Sequence, residues 1–210
     1  MSRPFIITGV GRSGSMWAAE TLQACHINCG HQAIFRHEHT LGKRLHWGRY
    51  HGDSSFEAVP MLKDRPPREL IVTITREPLA VLRSWRKRGL FTDRIRTWEQ
   101  WALFSRVLDR HFPEVLEHAN PLAAAAQYYV SWLKEAIEHS AVVLKLEGLT
   151  AKELCAAVDR PLMYCEQADA VPTNTNTNLT GADRGPNSYE DIPASVRDML
   201  REYSAELGYE

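Results

Sequence analysis

The chain has 210 residues, 44% of them hydrophobic and 24% charged, which suits one globular domain and excludes a disordered or fibrous protein. Its formal net charge of −1 excludes the global basic field typical of nucleic-acid binding, and no apolar run approaches the length of a membrane span. We therefore expect a single domain over residues 1–210, with no membrane span, no nucleic-acid partner and, by default, a cytoplasmic location.

In chain order, short apolar runs rich in β-branched residues alternate with segments of helical pattern. The predicted strands cover 5–8, 27–31, 70–75 and 141–146. The predicted helices cover about 15–25, 79–88, 150–158 and 193–207, with most of 95–140, where Pro113 and Asn120-Pro121 interrupt the pattern. Residues 32–68 and 172–188 lack periodicity and are predicted to form loops. Strands that alternate with helices indicate a parallel sheet covered on both faces, so we expect an α/β fold.

The most informative segment is Gly9-Val10-Gly11-Arg12-Ser13-Gly14-Ser15, which lies between the first predicted strand and the first predicted helix. Glycines allow the backbone to turn tightly and to approach a ligand closely. The N–H groups and the positive end of the following helix favour a bound phosphate. Arg12 adds a fixed positive charge, and the serines add hydroxyl donors. The segment therefore predicts a phosphate-binding loop.

A Walker A loop is one alternative motif for this segment. It aligns with Gly9 and Gly14, but Ser15-Met16 stands where the motif requires Lys followed by Ser or Thr. The strand 70–75 ends in Arg76 and not in the acidic residue that would hold magnesium. Both features count against a nucleoside-triphosphate site of the Walker type.

The dinucleotide motif G-x-G-x-x-G is the other alternative. Its spacing matches Gly9, Gly11 and Gly14, so it stays a competing interpretation. The acidic ribose partner expected about twenty residues later is missing between His31 and His37.

The four cysteines are few and unevenly spaced, so we expect free thiols and not a disulfide framework. Cys25 and Cys29, with His26 and His31 nearby, lack the paired spacing of a zinc site. On a helix, His26 points away from the face that carries the two cysteines, so no metal site is expected.

Two segments resemble the cofactor motifs of sulfotransferases that use 3′-phosphoadenosine 5′-phosphosulfate (PAPS). Gly11-Arg12-Ser13-Gly14-Ser15-Met16-Trp17 is similar to the family's 5′-phosphosulfate loop. Thr75-Arg76-Glu77-Pro78, followed by Ser84, is similar to its 3′-phosphate motif, R-D/N-P-x-x-x-x-x-S. Weaker similarities lie at 144–149 and 192–209. The resemblance implies a three-layer P-loop NTPase-like fold with a central, mainly parallel sheet flanked by helices.

The resemblance also implies transfer of a sulfuryl group from PAPS to a hydroxyl or amine of a small-molecule or glycan acceptor, in line and without a metal. Arg12 is expected to be catalytic, because it would stabilise the charge that grows on the bridging oxygen. The residues expected to hold the 5′-phosphosulfate are Gly11, Arg12, Ser13, Gly14, Ser15 and Met16. The 3′-phosphate is expected to contact Arg76 and Ser84, the latter near the start of a helix, with Arg184 and Gly185 closing over it.

The acceptor also requires a base that takes its proton. Candidates in the segment after the second predicted strand are His31, His37, Glu38 and His39, of which His37 and Glu38 lead. Asp53 and Ser54 either line the acceptor site or form an ordinary turn with Gly52.

Three departures from the family pattern leave other functions open. Glu77 replaces Asp or Asn, Ser15 replaces Thr, and Gln32 follows Gly30-His31 where bacterial relatives have Glu. If Gln32 marks a lost base, the chain is a non-catalytic module that binds a nucleotide or a sulfated ligand. A P-loop kinase-like phosphotransferase that uses ATP and magnesium is the second alternative.

Overall fold

A computed structural model describes residues 3–36, 45–64, 68–92, 99–160, 171 and 185–209 of the chain. The chain forms two compact units. The sheet unit comprises Met1–Thr75 and Glu135–Thr177, and the helical unit comprises Arg76–Lys134 and Asn178–Glu210. The single domain expected over residues 1–210 stays a prediction.

The sheet unit is built on five strands that all run parallel. They are β1 (Phe5–Thr8), β2 (Cys29–His31), β3 (Gly52–Ser54), β4 (Leu70–Thr75) and β5 (Val142–Lys145), in the order β2-β3-β1-β4-β5. β1 is therefore the central strand of the five. Because the strands are parallel, their carboxyl ends lie at one side of the sheet, here called the carboxyl edge.

Seven α-helices lie within the described residues. They are α1 (Ser15–Ala24), α2 (Val59–Asp64), α3 (Pro78–Arg88), α4 (Glu99–His111), α5 (Pro121–Glu138), α6 (Ala151–Ala157) and α7 (Ala194–Glu206). Three short 3₁₀ helices accompany them at Phe56–Ala58, Pro113–Val115 and Tyr189–Asp191. None of the described helices combines the length and the apolar character that crossing a membrane requires.

Both faces of the sheet are covered, because side chains alternate along each strand. On one face, Ile7 and Val72 join a buried cluster with Leu22 of α1 and Leu154 of α6. The opposite face, with Ile6 and Ile71, is buried with Leu62 of α2. The α/β class and the parallel sheet are therefore confirmed, and the finer likeness to P-loop NTPases stays a prediction.

β3 and α2 lie inside the segment 32–68, for which the sequence predicts only loops, and that prediction is wrong here. Gly52 of β3 pairs with Phe5 on one side and with Cys29 on the other. The ring of Phe5 fills the space that a Cβ on Gly52 would need. Gly52-Asp53-Ser54 is therefore a buried strand and not an ordinary turn.

The core of the helical unit is aromatic. Trp85 of α3, Phe104 of α4, and Tyr128 and Trp132 of α5 contact one another with ring centroids 4.8–6.1 Å apart. All four side chains are buried. These rings therefore pack as core, where large aromatic side chains contribute most of the buried apolar area.

Candidate functional site

The glycine loop connects β1 to α1 at the carboxyl edge, and its backbone is tightly folded. Gly9 and Gly14 have φ angles of 145° and 97°, and Arg12, which has a side chain, has a φ of 77°. A Cβ on Gly9 would press into the carbonyl oxygen of Ile74 in β4, and one on Gly14 would lie 2.6 Å from Leu146 Cδ1. The backbone of β4 leaves no room for a side chain at Gly9, and the positive φ favours glycine at Gly14.

Ser13 holds the loop in this shape. Its side chain is buried, and its hydroxyl donates a 2.7 Å hydrogen bond to the carbonyl oxygen of Val10. Its backbone N–H donates to the same oxygen at 3.1 Å. Because both donors are engaged within the loop, we assign Ser13 the role of stabilising the loop conformation. Its contact with a phosphate stays a prediction.

The N-terminus of α1 carries positive potential. Gly14 provides no side-chain cap, and the first turn contains no acidic residue. The backbone N–H of Ala18 donates to the carbonyl of Gly14 at 2.9 Å, so the helix begins immediately after the loop. The helix dipole is therefore not offset by an acid in the first turn, and Arg12 adds charge in the preceding loop, as binding of an anion requires.

His31, the last residue of β2, lies beside this helix start. Its Nε2 is 3.3 Å from the hydroxyl oxygen of Ser15, a hydrogen bond whose donor depends on the tautomer of the ring. The carbonyl oxygen of Ser15 accepts a 2.7 Å hydrogen bond from the hydroxyl of Ser54 in β3. Burial lowers the pKa of His31 below its ordinary 6.5, although Asp53 and Glu20 act in the opposite direction. The structure thus brings an imidazole whose neutral form is favoured by burial next to the glycine loop.

Asp53 supports the segment that follows β2. Its carboxylate is fully buried and accepts backbone hydrogen bonds from Ala33, Ile34 and Phe35 at 2.9–3.1 Å. Burial raises the pKa of Asp53, and these hydrogen bonds oppose the rise. Gly30 leaves room for the carboxylate, because a Cβ there would lie 2.6 Å from Oδ1. Asp53 therefore serves the architecture of the site, and an acceptor would not reach it.

Gln32 and Glu57 connect the ends of β2 and β3. The side-chain amide of Gln32 donates to Glu57 Oε1 at 3.2 Å, and its backbone N–H donates to the carbonyl of Ser54 at 3.1 Å. Sequence reasoning missed Glu57, because its position depends on β3, which was not predicted. A Glu at position 32 would set two carboxylates against each other.

Backbone strain marks the same edge of the sheet. Among the described non-glycine residues of the sheet unit with positive φ, His26 and Asp159 lie just after helix ends, where their backbone N–H groups close the last turn. Arg12 and Gln32, with φ of 77° and 50°, lie instead at the carboxyl edge. Residues held in sparsely populated conformations occur preferentially at binding and catalytic sites, so this edge is the candidate functional site of the sheet unit.

In the helical unit, the start of α3 is fixed by its own neighbours. The hydroxyl of Tyr129 donates a 2.6 Å hydrogen bond to the carbonyl oxygen of Arg76. Glu77 caps the helix, because its carboxylate accepts from the backbone N–H groups of Leu79 and Ala80 at 2.8 and 2.6 Å. Glu77 thus performs the capping role for which Asp or Asn is common, and the backbone of Arg76 is held in place.

Ser84 is the seventh residue of α3, in the middle of the helix and not near its start as expected. Gly185 lies against the preceding residue, because a Cβ on Gly185 would be 2.6 Å from the Cα of Arg83. Arg83 also donates a long hydrogen bond, 3.4 Å, to the carbonyl of Pro186. Gly185 and Arg86 border a cavity of about 500 Å³ within this unit. The structure therefore brings Gly185 and the segment around Ser84 together.

The remaining candidates lie outside the described residues. They are His37, Glu38, His39 and Arg184. No protein-family model, curated protein or solved structure matched the chain. The class that fold and site define is an α/β protein with an all-parallel sheet and a tightly folded glycine loop after its central strand.

Proposed function

We propose that the chain is a sulfotransferase that moves a sulfuryl group from PAPS to a hydroxyl or amine of a small-molecule or glycan acceptor. The observation that carries the proposal is the glycine loop, with Arg12 in a left-handed conformation and α1 starting directly after it. In open parallel sheets, ligands bind outside the carboxyl ends of the strands, where this loop lies. A cytoplasmic location belongs to the same proposal.

The chemistry requires positive charge where negative charge develops. In the transfer, the acceptor oxygen or nitrogen forms a bond to sulfur, and the bond from sulfur to the bridging oxygen breaks. The electron pair of that bond stays on the 5′-phosphate. Arg12 and the N-terminus of α1 supply positive potential for this leaving group, which is the main requirement of such transfers.

Recognition of the 3′-phosphate is assigned to Arg76 and Ser84. This assignment rests on the sequence motif and on chain order, because Arg76 follows the last residue of β4 directly. The capped start of α3 and the buried contact of Tyr129 support it, since a fixed backbone holds a guanidinium in a defined position. Gly185 packs against α3, and we assign it to the same 3′-phosphate site.

Calorimetric titration with 3′-phosphoadenosine 5′-phosphate (PAP), the product nucleotide, tests the proposal without knowledge of the acceptor. We expect PAP to bind in the absence of magnesium, and adenosine monophosphate to bind far more weakly because it lacks the 3′-phosphate. Arg12→Ala and Arg76→Ala should each lose most of the affinity. Arg88→Ala, which removes an exposed arginine at the other end of α3, is the matched control and should retain it.

Three results would contradict the proposal. A preference for ATP with magnesium would favour the kinase-like alternative. Equal affinity for PAP and adenosine monophosphate would mean that the protein does not recognise the 3′-phosphate. PAP binding without turnover on a broad panel of acceptors would favour the non-catalytic module.

A further inference from the structure

The contact between Ser15 and His31 connects the loop assigned to the sulfuryl donor with a candidate base for the acceptor. Ser15 is the first residue of α1 and belongs to the loop assigned to the 5′-phosphosulfate. His31 ends β2, and its ring is only partly buried, so a second substrate can reach it. The 3.3 Å separation of Ser15 Oγ and His31 Nε2 means that one hydroxyl serves either the imidazole or a phosphate.

A hydroxyl has one proton to donate at a time. If Ser15 donates it to Nε2, the lone pair of that nitrogen is occupied, and the imidazole cannot take a proton from another group through this atom. A phosphate oxygen is the stronger acceptor, because charge-assisted hydrogen bonds are shorter and stronger than neutral ones. Arrival of a phosphate at the loop would therefore draw the hydroxyl away from His31.

We propose that Ser15 occupies Nε2 of His31 in the ligand-free protein, and that binding of the donor's 5′-phosphate releases Nε2 to act as the base for the acceptor. This inference rests on the proposed function. His31, whose position next to the glycine loop is described, thereby replaces His37 and Glu38 as the leading candidate for the base.

The proton balance of the step is simple. Nε2 of His31 takes the proton from the acceptor hydroxyl or amine while the acceptor atom bonds to sulfur. The bond between sulfur and the bridging oxygen breaks, and its electron pair stays on the 5′-phosphate of PAP. The base is therefore exposed only when a sulfuryl donor is present, which makes donor binding a condition for acceptor activation.

The surroundings of His31 agree with this role. The charged groups that act on the ring among the described residues are Asp53 of β3 and Glu20 of α1. Both carboxylates favour a protonated ring, so they would stabilise the imidazolium that forms when the acceptor proton arrives. Burial keeps the free imidazole neutral beforehand, as a base requires.

Nitrogen NMR of the histidine side chains, in the full chain with and without PAP, tests the first half of the proposal. Nine histidines are present, and a His31→Asn variant identifies the signals of His31. In the ligand-free protein we expect Nε2 to be the unprotonated, hydrogen-bonded nitrogen. PAP should remove that hydrogen bond and raise the pKa of His31.

Two Ser15 variants separate the hydroxyl from the charge of the phosphate. In Ser15→Ala, Nε2 should lack the hydrogen bond before PAP is added, and the ligand-free pKa of His31 should be higher than in the wild type. Ser15→Thr keeps the hydroxyl and should behave as the wild type. If calorimetry shows PAP binding but the His31 signals respond identically in wild type and Ser15→Ala, the inference is wrong.

The rate of PAP release from PAPS over a panel of hydroxyl and amine acceptors tests the second half. His31→Asn should lower this rate by about 10² or more while its affinity for PAP stays near wild type. A wild-type rate in His31→Asn would overturn the base assignment and leave the proposed function intact. Failure of the wild type to bind PAP would instead overturn the proposed function, and this inference with it.

Discussion

The hydroxyl of Tyr129 donates a 2.6 Å hydrogen bond to the carbonyl oxygen of Arg76, from a side chain that is completely buried in α5. Arg76 is the residue that the sequence motif assigns to the 3′-phosphate. The bond therefore links the core of the helical unit to the backbone of a candidate binding residue.

Replacing Tyr129 with Phe should destabilise the protein by about 1 kcal/mol, because the partly buried carbonyl of Arg76 loses this donor. Tyr203→Phe is a matched control, because the buried hydroxyl of Tyr203 has no hydrogen-bond partner among the described residues. The control should change the free energy of unfolding by no more than about 0.5 kcal/mol. Urea denaturation of the two variants measures the difference, and equal losses would contradict a role for the Tyr129 bond. If Arg76 binds PAP, Tyr129→Phe should also weaken that binding.

Glu77 is expected to stabilise α3 as its cap. Glu77→Ala leaves the backbone N–H groups of Leu79 and Ala80 without their acceptor, and should cost about 1 kcal/mol of stability. Glu77→Asp keeps a carboxylate of the type most favoured at this position and should retain most of the stability. Thermal and urea unfolding of both variants measure the two losses of stability. A loss as large in Glu77→Asp as in Glu77→Ala would show that capping is not the contribution of Glu77.

The sequence predicts the strands with the strongest apolar character well. β1 and β4 have the predicted bounds, because Phe5–Thr8 and Leu70–Thr75 are runs of apolar and β-branched residues buried from end to end or nearly so. β3 escapes prediction, because Gly-Asp-Ser has no strand propensity of its own. Its conformation is imposed by pairing with β1 on one side and β2 on the other.

The candidate site likewise has features that the sequence predicts and features that it does not. The glycine loop is visible in the sequence, because its chemistry depends on local spacing. The contacts of His31 with Ser15, and of Gln32 with Glu57, join residues 16 and 25 positions apart and depend on how β2, β3 and α1 pack. Local sequence patterns carry no information about such packing. The sequence therefore offers His31 as one of several candidate bases and does not indicate Glu57.

Gly14→Ala tests the geometry of the loop. Alanine at a φ of 97° costs about 1–2 kcal/mol, and its Cβ would also press on Leu146. Gly148→Ala is the matched control, because Gly148 has a φ of 79° and, chain neighbours aside, no atom of the described residues lies within 4 Å of an added Cβ. Gly14→Ala should therefore lose more stability than Gly148→Ala in urea unfolding. Equal losses would mean that the approach of Leu146 to Gly14 is not tight.

Asp53 is expected to be essential to the stability of the sheet unit. Asp53→Ala leaves three backbone N–H groups without an acceptor, two of them buried and that of Ala33 partly buried, which should cost about 3 kcal/mol or more. Asp109→Ala removes an exposed aspartate of α4 and should have little effect. If Asp53→Ala does not fold, Asp53→Asn keeps one acceptor oxygen and should show an intermediate loss of stability. A change near zero in both Asp53 variants would contradict the supporting role.

His31 should make stability depend on pH on the acidic side of neutrality. Burial lowers its pKa in the folded protein below the 6.5 of an unfolded chain, so the unfolded state binds the proton more tightly. The contribution of His31 is fully present above pH 6.5 and is lost as the pH falls through the lowered folded value. The free energy of unfolding, measured in urea between pH 7.5 and pH 5, should therefore decline with a steeper slope in the wild type than in His31→Asn. An identical slope in the two proteins would mean that His31 has the same proton affinity folded and unfolded, and that its ring is not desolvated beside Ser15.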